Sequence, residues 1–243
     1  MKLLRSEWIK LFTTRTTWVM IGIGLLCEAL FAGLFVSLAS LAEFETAEDI
    51  ESIFTGIGLL MVLILVLGVL VITTEFRHGT TGSTFLVTPK RYPVMLAKLA
   101  AVSLIGLLAG LAFFVVNGGL ALPILAERGV DLPSTGEIAS IYIGVAVSFA
   151  LLGAFGLGVG AIIRNQVGAI IAAIAFFFIL SPLPELLPGD LGQYFPAQAI
   201  GALHGLDEEG NLGQVTGGLV LAAWAFGLCA IGTVLVTRRD LSD

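Results

Sequence analysis

Charge is what this chain has least of. Only 12% of its 243 residues are Asp, Glu, Lys or Arg, where a soluble globular domain carries roughly 25%. That shortage excludes a domain wetted on all sides. Cysteine is nearly missing as well. Cys27 and Cys229 both fall inside long apolar runs, where each reads as a small hydrophobe and not as a disulfide partner or metal ligand. The two histidines, His78 and His204, belong to opposite sides of the expected topology, and no H-E-x-x-H is present. A phosphate loop G-x-x-x-x-G-K-[ST] is also missing, because the glycine–threonine stretch at 79–84 has no lysine. No pair of acids sits in adjacent runs at a spacing suited to hydrolysis. The chain is therefore not expected to be an enzyme, to hold a metal, or to bind a cofactor of its own.

Apolar residues fill the space that charge leaves, at 57% of the chain with a mean hydropathy of +1.02. A helix needs roughly 20 apolar residues to cross a bilayer. Six segments qualify, near 17–42, 52–73, 98–125, 138–163, 167–187 and 214–236. What lies between them is too short to bury a core, so 1–243 reads as one membrane domain. The expected class is all-α and polytopic, with six transmembrane helices. The first run is too long for a cleavable signal, and no small-residue cleavage site follows it.

The few charges are sorted by side. Lys2, Arg5, Lys10, Arg15, Arg77, Lys90, Arg91, Lys98, Arg164, Arg238 and Arg239 share one side with four acids, Glu7, Glu75, Asp240 and Asp243. On the other side Arg128 stands alone against thirteen acids. Basic residues near span ends stay in the cytoplasm, so the expectation is a plasma-membrane protein with both termini inside. The cations are scattered over short segments separated by hydrocarbon-length runs, which excludes a nucleic-acid surface.

Local pattern adds detail. In residues 1–12, Leu4, Trp8, Leu11 and Phe12 recur at helical spacing, with Lys2, Arg5, Ser6, Glu7 and Lys10 mostly opposite. This predicts a helix lying in the membrane interface. Gly144, Gly153, Gly156, Gly158 and Gly160 crowd the fourth run, and Gly217, Gly218, Gly227 and Gly232 the sixth. Close helix packing is the plainer reading, helices that slide during a transport cycle the functional one. The outer stretch 187–213 contains a helix-compatible PAQAIGALHGL, which suits a segment dipping into the outer leaflet. Glu28 falls mid-way through the first run and Asn117 in the outer part of the third. An ionisable group in hydrocarbon marks a functional site by default. Glu28 reads equally as a contact for cargo or proton, or as a hydrogen-bonded packing residue shared with Asn117 or a Thr. For Asn117 an interhelical hydrogen bond is expected.

The segment between the second and third runs, TTEFRHGTTGSTFLVTPKRYPVMLAKLAA, is the most informative. Phe85, Leu86 and Val87 stand among small hydroxyl residues in a loop too polar to enter the bilayer, a composition that fits a contact surface. Glu75 has Arg77, Lys90 and Lys98 as candidate partners. With its acid at the end of one span, then Gly-Thr, an apolar turn, Thr-Pro and a lysine opening the next, the segment resembles the signature of ABC-2 type permeases. The matching residues are Glu75, Gly79, Thr80, Leu86, Thr88, Pro89, Arg91 and Lys98. The N-terminal helix, six spans and long last outer connection extend the resemblance over the chain. Arg77-His78 departs from it, standing where many relatives have an acid. The resemblance implies that Gly79–Val87 is a coupling helix docking into a separate cytoplasmic ATPase. ATP and Mg would be bound by that partner. It also implies a second copy or a sister permease, while apolar faces and scarce intramembrane charge favour an amphiphilic or lipid-like cargo, such as a drug or peptide antibiotic, over a simple ion. The rival expectations are a secondary transporter driven by an ion gradient and a non-transporting scaffold or sensor.

Overall fold

Backbone amides in hydrocarbon must find their partners within the segment, and a helix achieves this. The computed structural model describes residues 2–39, 46–79, 91–178, 189–205 and 212–238, and every regular element among them is helical. In chain order these are α1 (Lys2–Thr13), α2 (Arg15–Leu38), α3 (Ala47–Thr55), α4 (Leu59–Arg77), α5 (Arg91–Glu127), α6 (Thr135–Ile163), α7 (Gln166–Phe178), α8 (Pro196–His204) and α9 (Gln214–Arg238). A short 3-10 turn, Gly189–Tyr194, precedes α8.

Five stretches are long and apolar enough to cross a membrane: α2, Asp49–Arg77, α5, α6 and α9. The chain is thus a multi-pass membrane protein by the length and composition of its helices. The fifth expected span, 167–187, is described only through α7, and 179–187 lies outside the described residues. Helix α5 has 37 residues, about 55 Å at 1.5 Å each. That exceeds a hydrocarbon core of about 30 Å, so its first turns project at the basic end.

The second expected span is corrected. Asp49–Arg77 is not one helix, because Gly56-Ile57-Gly58 divides it into α3 and α4. Gly56 and Gly58 have φ of 72° and 71°, a region that favours glycine. Helix α3 opens on a reciprocal cap between Thr46 and Asp49. A second reciprocal cap, Ser134 with Glu137, starts α6. Both follow the Ser/Thr-x-x-acid spacing of a capping box. Ile50, Ile53 and Phe54 turn inward from α3 and are buried.

Helix α6 is the centre. Its apolar stretch is 72% buried, against 22–39% for the other four, and α3, α4, α5, α7, α8 and α9 all pack against it. Its glycines face different neighbours: Gly144 meets α8, Gly153 meets α5, Gly156 and Gly160 meet α4, and Gly158 meets α9. A Cβ at Gly156 would overlap the Leu65 carbonyl. Close approach of backbones is what small residues permit where water exclusion does not drive association. Gly227, by contrast, faces open space.

Candidate functional site

Among the described residues, two polar clusters with a buried carboxyl interrupt the apolar interior, one at the basic end and one deep in the bundle, apart from a buried Ser148–His204 contact at 3.0 Å. The first is built on α1. Helix α1 packs chiefly along α5, and Leu11 is buried while Trp8 and Phe12 are half-buried. Leu4, assigned to the same apolar stripe, is 42% exposed. Glu7, assigned to the polar face, is buried. The inward face of α1 thus keeps Trp8, Leu11 and Phe12 of the expected stripe but takes in Glu7 in place of Leu4, because Glu7 pairs there with a buried cation.

That cation is Lys98. Its Nζ lies 2.7 Å from Glu7 Oε2 and 2.6 Å from Glu75 Oε1, with a side chain 3% exposed. Lys10 completes the set, donating to Glu7 at 2.8 Å and to Glu75 at 2.9 Å from a half-exposed position. Three elements are joined in this way: α1 by Glu7 and Lys10, the end of α4 by Glu75, and α5 by Lys98. Burial alone would raise the Glu7 carboxyl. Lys98 beside it and hydrogen bonds from Lys10 and Lys98 outweigh burial and hold it below its ordinary value. Burial likewise opposes charge on Lys10, and hydrogen bonds to Glu7 and Glu75 overcome it, raising Lys10. Both effects favour the charged forms of Glu7 and Lys10.

Neighbouring side chains fasten the same end. Arg77 donates from Nη1 to Gln166 Oε1 at 3.3 Å, joining α4 to α7. The His78 ring lies 2.8 Å from the Thr74 carbonyl. Arg91, opening α5, donates to the carbonyl of Val236 near the end of α9. Gly79, with φ of 65°, is the last described residue before the loop. Thr80, Phe85, Leu86, Thr88 and Pro89 lie outside the described residues. Of the residues expected to couple to a partner, the structure brings Glu75 and Lys98 into contact, ties Arg77 to Gln166 and ties Arg91 to the Val236 carbonyl. Lys10 and Glu7, which pattern alone left on a solvated face, join Glu75 and Lys98. The signal that could have found them is the Glu7/Lys10 pair at i,i+3 beside an acid and a lysine at the two span ends.

The second cluster surrounds Glu28, which is 1% exposed. Asn117 of α5 donates from Nδ2 to Glu28 Oε1 at 2.8 Å and to the Ile53 carbonyl at 3.0 Å. The Ile57 amide donates to Glu28 Oε2 at 3.3 Å. Tyr142 of α6 donates to Asn117 Oδ1 at 2.7 Å. The carboxyl therefore sits at the α3–α4 break, against the amide freed after α3, while Asn117 takes up a carbonyl at the end of α3. Orphaned helix-terminal groups of this kind need such partners. Gly56 has no side chain for a reason: a Cβ there would stand 2.6 Å from both Glu28 oxygens. Directly after Glu28, α2 widens into a π-helical turn at Phe31–Phe35, a feature frequent at functional sites. Glu28 and Asn117, singled out separately by sequence, thus belong to one cluster. Tyr142, Gly56 and Ile57 went unnoticed because tyrosine and Gly-x-Gly are unremarkable inside an apolar run.

Among the described residues no three His, Cys, Asp or Glu side chains come close enough to hold a metal ion. Cys27 and Cys229 are free thiols. No protein-family model and no curated protein matches this sequence.

Proposed function

We propose that this chain is the permease subunit of an ATP-driven exporter of ABC-2 type, with six spans in the plasma membrane and both termini in the cytoplasm. The observation that supports it best is the ion-pair cluster around Lys98. A loop that transmits force must be held at its base, and the two helices flanking 80–90, α4 and α5, are joined to each other and to α1 through Glu75 and Lys98. Buried, hydrogen-bonded ion pairs hold geometry well because losing one partner strands the others. In this reading the segment Gly79–Val87 docks into a separate ATPase, which binds ATP and Mg. Its motion passes through α4 and α5 to the central α6. Two such permeases, identical or sister chains, enclose the pathway, and the cargo is a drug, peptide antibiotic or lipid-like amphiphile.

Gentle solubilisation of the tagged chain from its native membranes tests this. A soluble ATPase carrying a phosphate loop is expected to co-purify, and to be lost when Phe85 and Leu86 are both replaced by Asp. Recovery of the chain alone across several mild detergents would overturn the reading.

One observation favours a second reading, a carrier driven by an ion gradient. Such carriers bind their ions at broken helices deep in the membrane, and Glu28 lies at the break between α3 and α4. Transport that persists without ATP but stops in Glu28→Gln would favour the carrier.

A further inference from the structure

We propose that a cavity at the basic end, between α1, α2 and α4, is a binding site for one anionic phospholipid of the inner leaflet. The inference takes only the sidedness of the membrane from the preceding reading, and it needs no partner ATPase. The cavity has a volume of about 590 Å³, within the ~300–1,000 Å³ of small-molecule sites.

Its polarity changes along α4 in the order a phospholipid requires. Helix α4 lines one side, with Arg77, His78 and Thr74 toward its basic end and Val71, Leu70 and Leu67 successively farther from that end. From Arg77 to Leu67 is about 15 Å along the helix axis, enough to pass from headgroup depth into hydrocarbon. Leu11 of α1 closes the apolar part, and Thr14 and Thr16 add hydroxyls. Leu70 and Val71 are half-buried and Thr16 and Thr74 exposed, so the slot is reachable from the side.

Charge gives the sign of the occupant. The lining holds Lys10, Arg77 and Lys98 against Glu7 and Glu75, one formal positive charge with His78 neutral. The two carboxylates are shared between Lys98, which is nearly inaccessible, and Lys10, at 2.8 and 2.9 Å, so the net positive charge of the lining rests with Arg77. Lys10 is half-exposed and Arg77 exposed, and Arg77 spends one donor on a hydrogen bond of 3.3 Å, at the long limit for such bonds. A phosphodiester accepting from Arg77 and Lys10 would gain charge-assisted hydrogen bonds. Its acyl chains would cover Leu67, Leu70 and Val71, for which a soluble phosphate has no use.

The test uses the full chain, purified in a mild detergent without any partner. Native mass spectrometry then counts retained palmitoyl-oleoyl phosphatidylglycerol or phosphatidylcholine added in equal amounts. One phosphatidylglycerol per chain is expected, favoured over phosphatidylcholine by about tenfold, because both lipids present the phosphodiester but only phosphatidylcholine adds a cation that Arg77 and Lys10 repel. Arg77→Gln should bring phosphatidylglycerol down to the phosphatidylcholine level. Leu70→Trp, which fills part of the apolar slot without touching an ion pair, should remove both lipids, and glycerol 3-phosphate at equal concentration should not compete. Equal retention of the two lipids, wild-type binding by Arg77→Gln, or displacement by glycerol 3-phosphate would each overturn the site. So would a dimeric chain that retains no lipid, which assigns the cavity to a subunit interface. If Leu70→Trp fails to elute as the wild type does, Arg77→Gln alone decides. Loss of lipid retention leaves the co-purification of an ATPase unaffected, so the two proposals fail separately.

Discussion

Lys98 has two carboxylates within 2.7 Å and almost no contact with water. Removing one member of a buried ion pair typically costs about 3–5 kcal/mol, because the remaining charges lose their compensation. Lys98→Met is therefore expected to lower the thermal unfolding midpoint of the solubilised chain and to open α1 to trypsin at Arg5 and Lys10. Adding Glu7→Gln to Lys98→Met should recover part of the loss, since the two positions are coupled; strictly additive losses would show that the cluster does not act as a unit. The same residues set an acid limit. Glu7 is held below its ordinary value by Lys98 and by hydrogen bonds from Lys10 and Lys98. A carboxyl with a depressed folded value contributes its stability in full above the ordinary glutamate value, about 4.3. It loses that contribution as pH falls through the lower folded value. Docking of α1 should thus weaken on acidification below about pH 4, followed by the emission of Trp8 and Trp18. Glu7→Gln should flatten that response, and an unchanged acid transition would dismiss Glu7 as its source.

Elements in this protein are separated by glycine as much as by side-chain bulk. Gly156 of α6 lies so close to Leu65 and Val69 of α4 that any Cβ overlaps backbone. Overpacking of this kind costs typically about 1–3 kcal/mol. Gly156→Val should lower the thermal midpoint sharply in detergent. Gly227→Ala, facing open space on α9, should leave it unchanged or raise it, since alanine is favoured over glycine in a helix by up to about 1 kcal/mol. Equal effects of the two would contradict the packing described. Helix positions were largely legible in the chain: the reading near 138–163 corresponds to α6, Thr135–Ile163, and that near 214–236 to α9, Gln214–Arg238. The division of the second run was not. Its mean hydropathy is the highest of the five stretches, and apolarity alone does not register the two positive-φ glycines that break it.

At the scale of the whole molecule, the charged residues and the helix ends agree. Glu7, Lys10, Glu75 and Lys98 gather at one end of the bundle. At the end opposite in sequence order, Arg128 donates to the carbonyls of Val36 and Ala39, closing α2. The proposed sidedness predicts a labelling pattern in a Cys27→Ala, Cys229→Ala background. A membrane-impermeant maleimide added outside intact cells should react with Asp131→Cys and not with Ser6→Cys. Breaking the cells should expose Ser6→Cys as well; the reverse order would invert the topology and with it the placement of the 79–90 loop.

Membrane residence, helix class and the direction of charge follow from the sequence by itself, because hydrocarbon thickness and the retention of cations act on runs of residues whatever their neighbours. Partner choice does not follow from runs. Lys98 and Glu7 are far apart in the chain, as are Glu28 and Asn117, and each pair exists only because helix rotation brings one face of each element to the same point. Sequence marked Glu28 as costly in hydrocarbon. Only the tertiary structure decided how it is satisfied, by an amide at a helix break and an asparagine from α5, because a buried polar group takes whichever partners the packing leaves within reach.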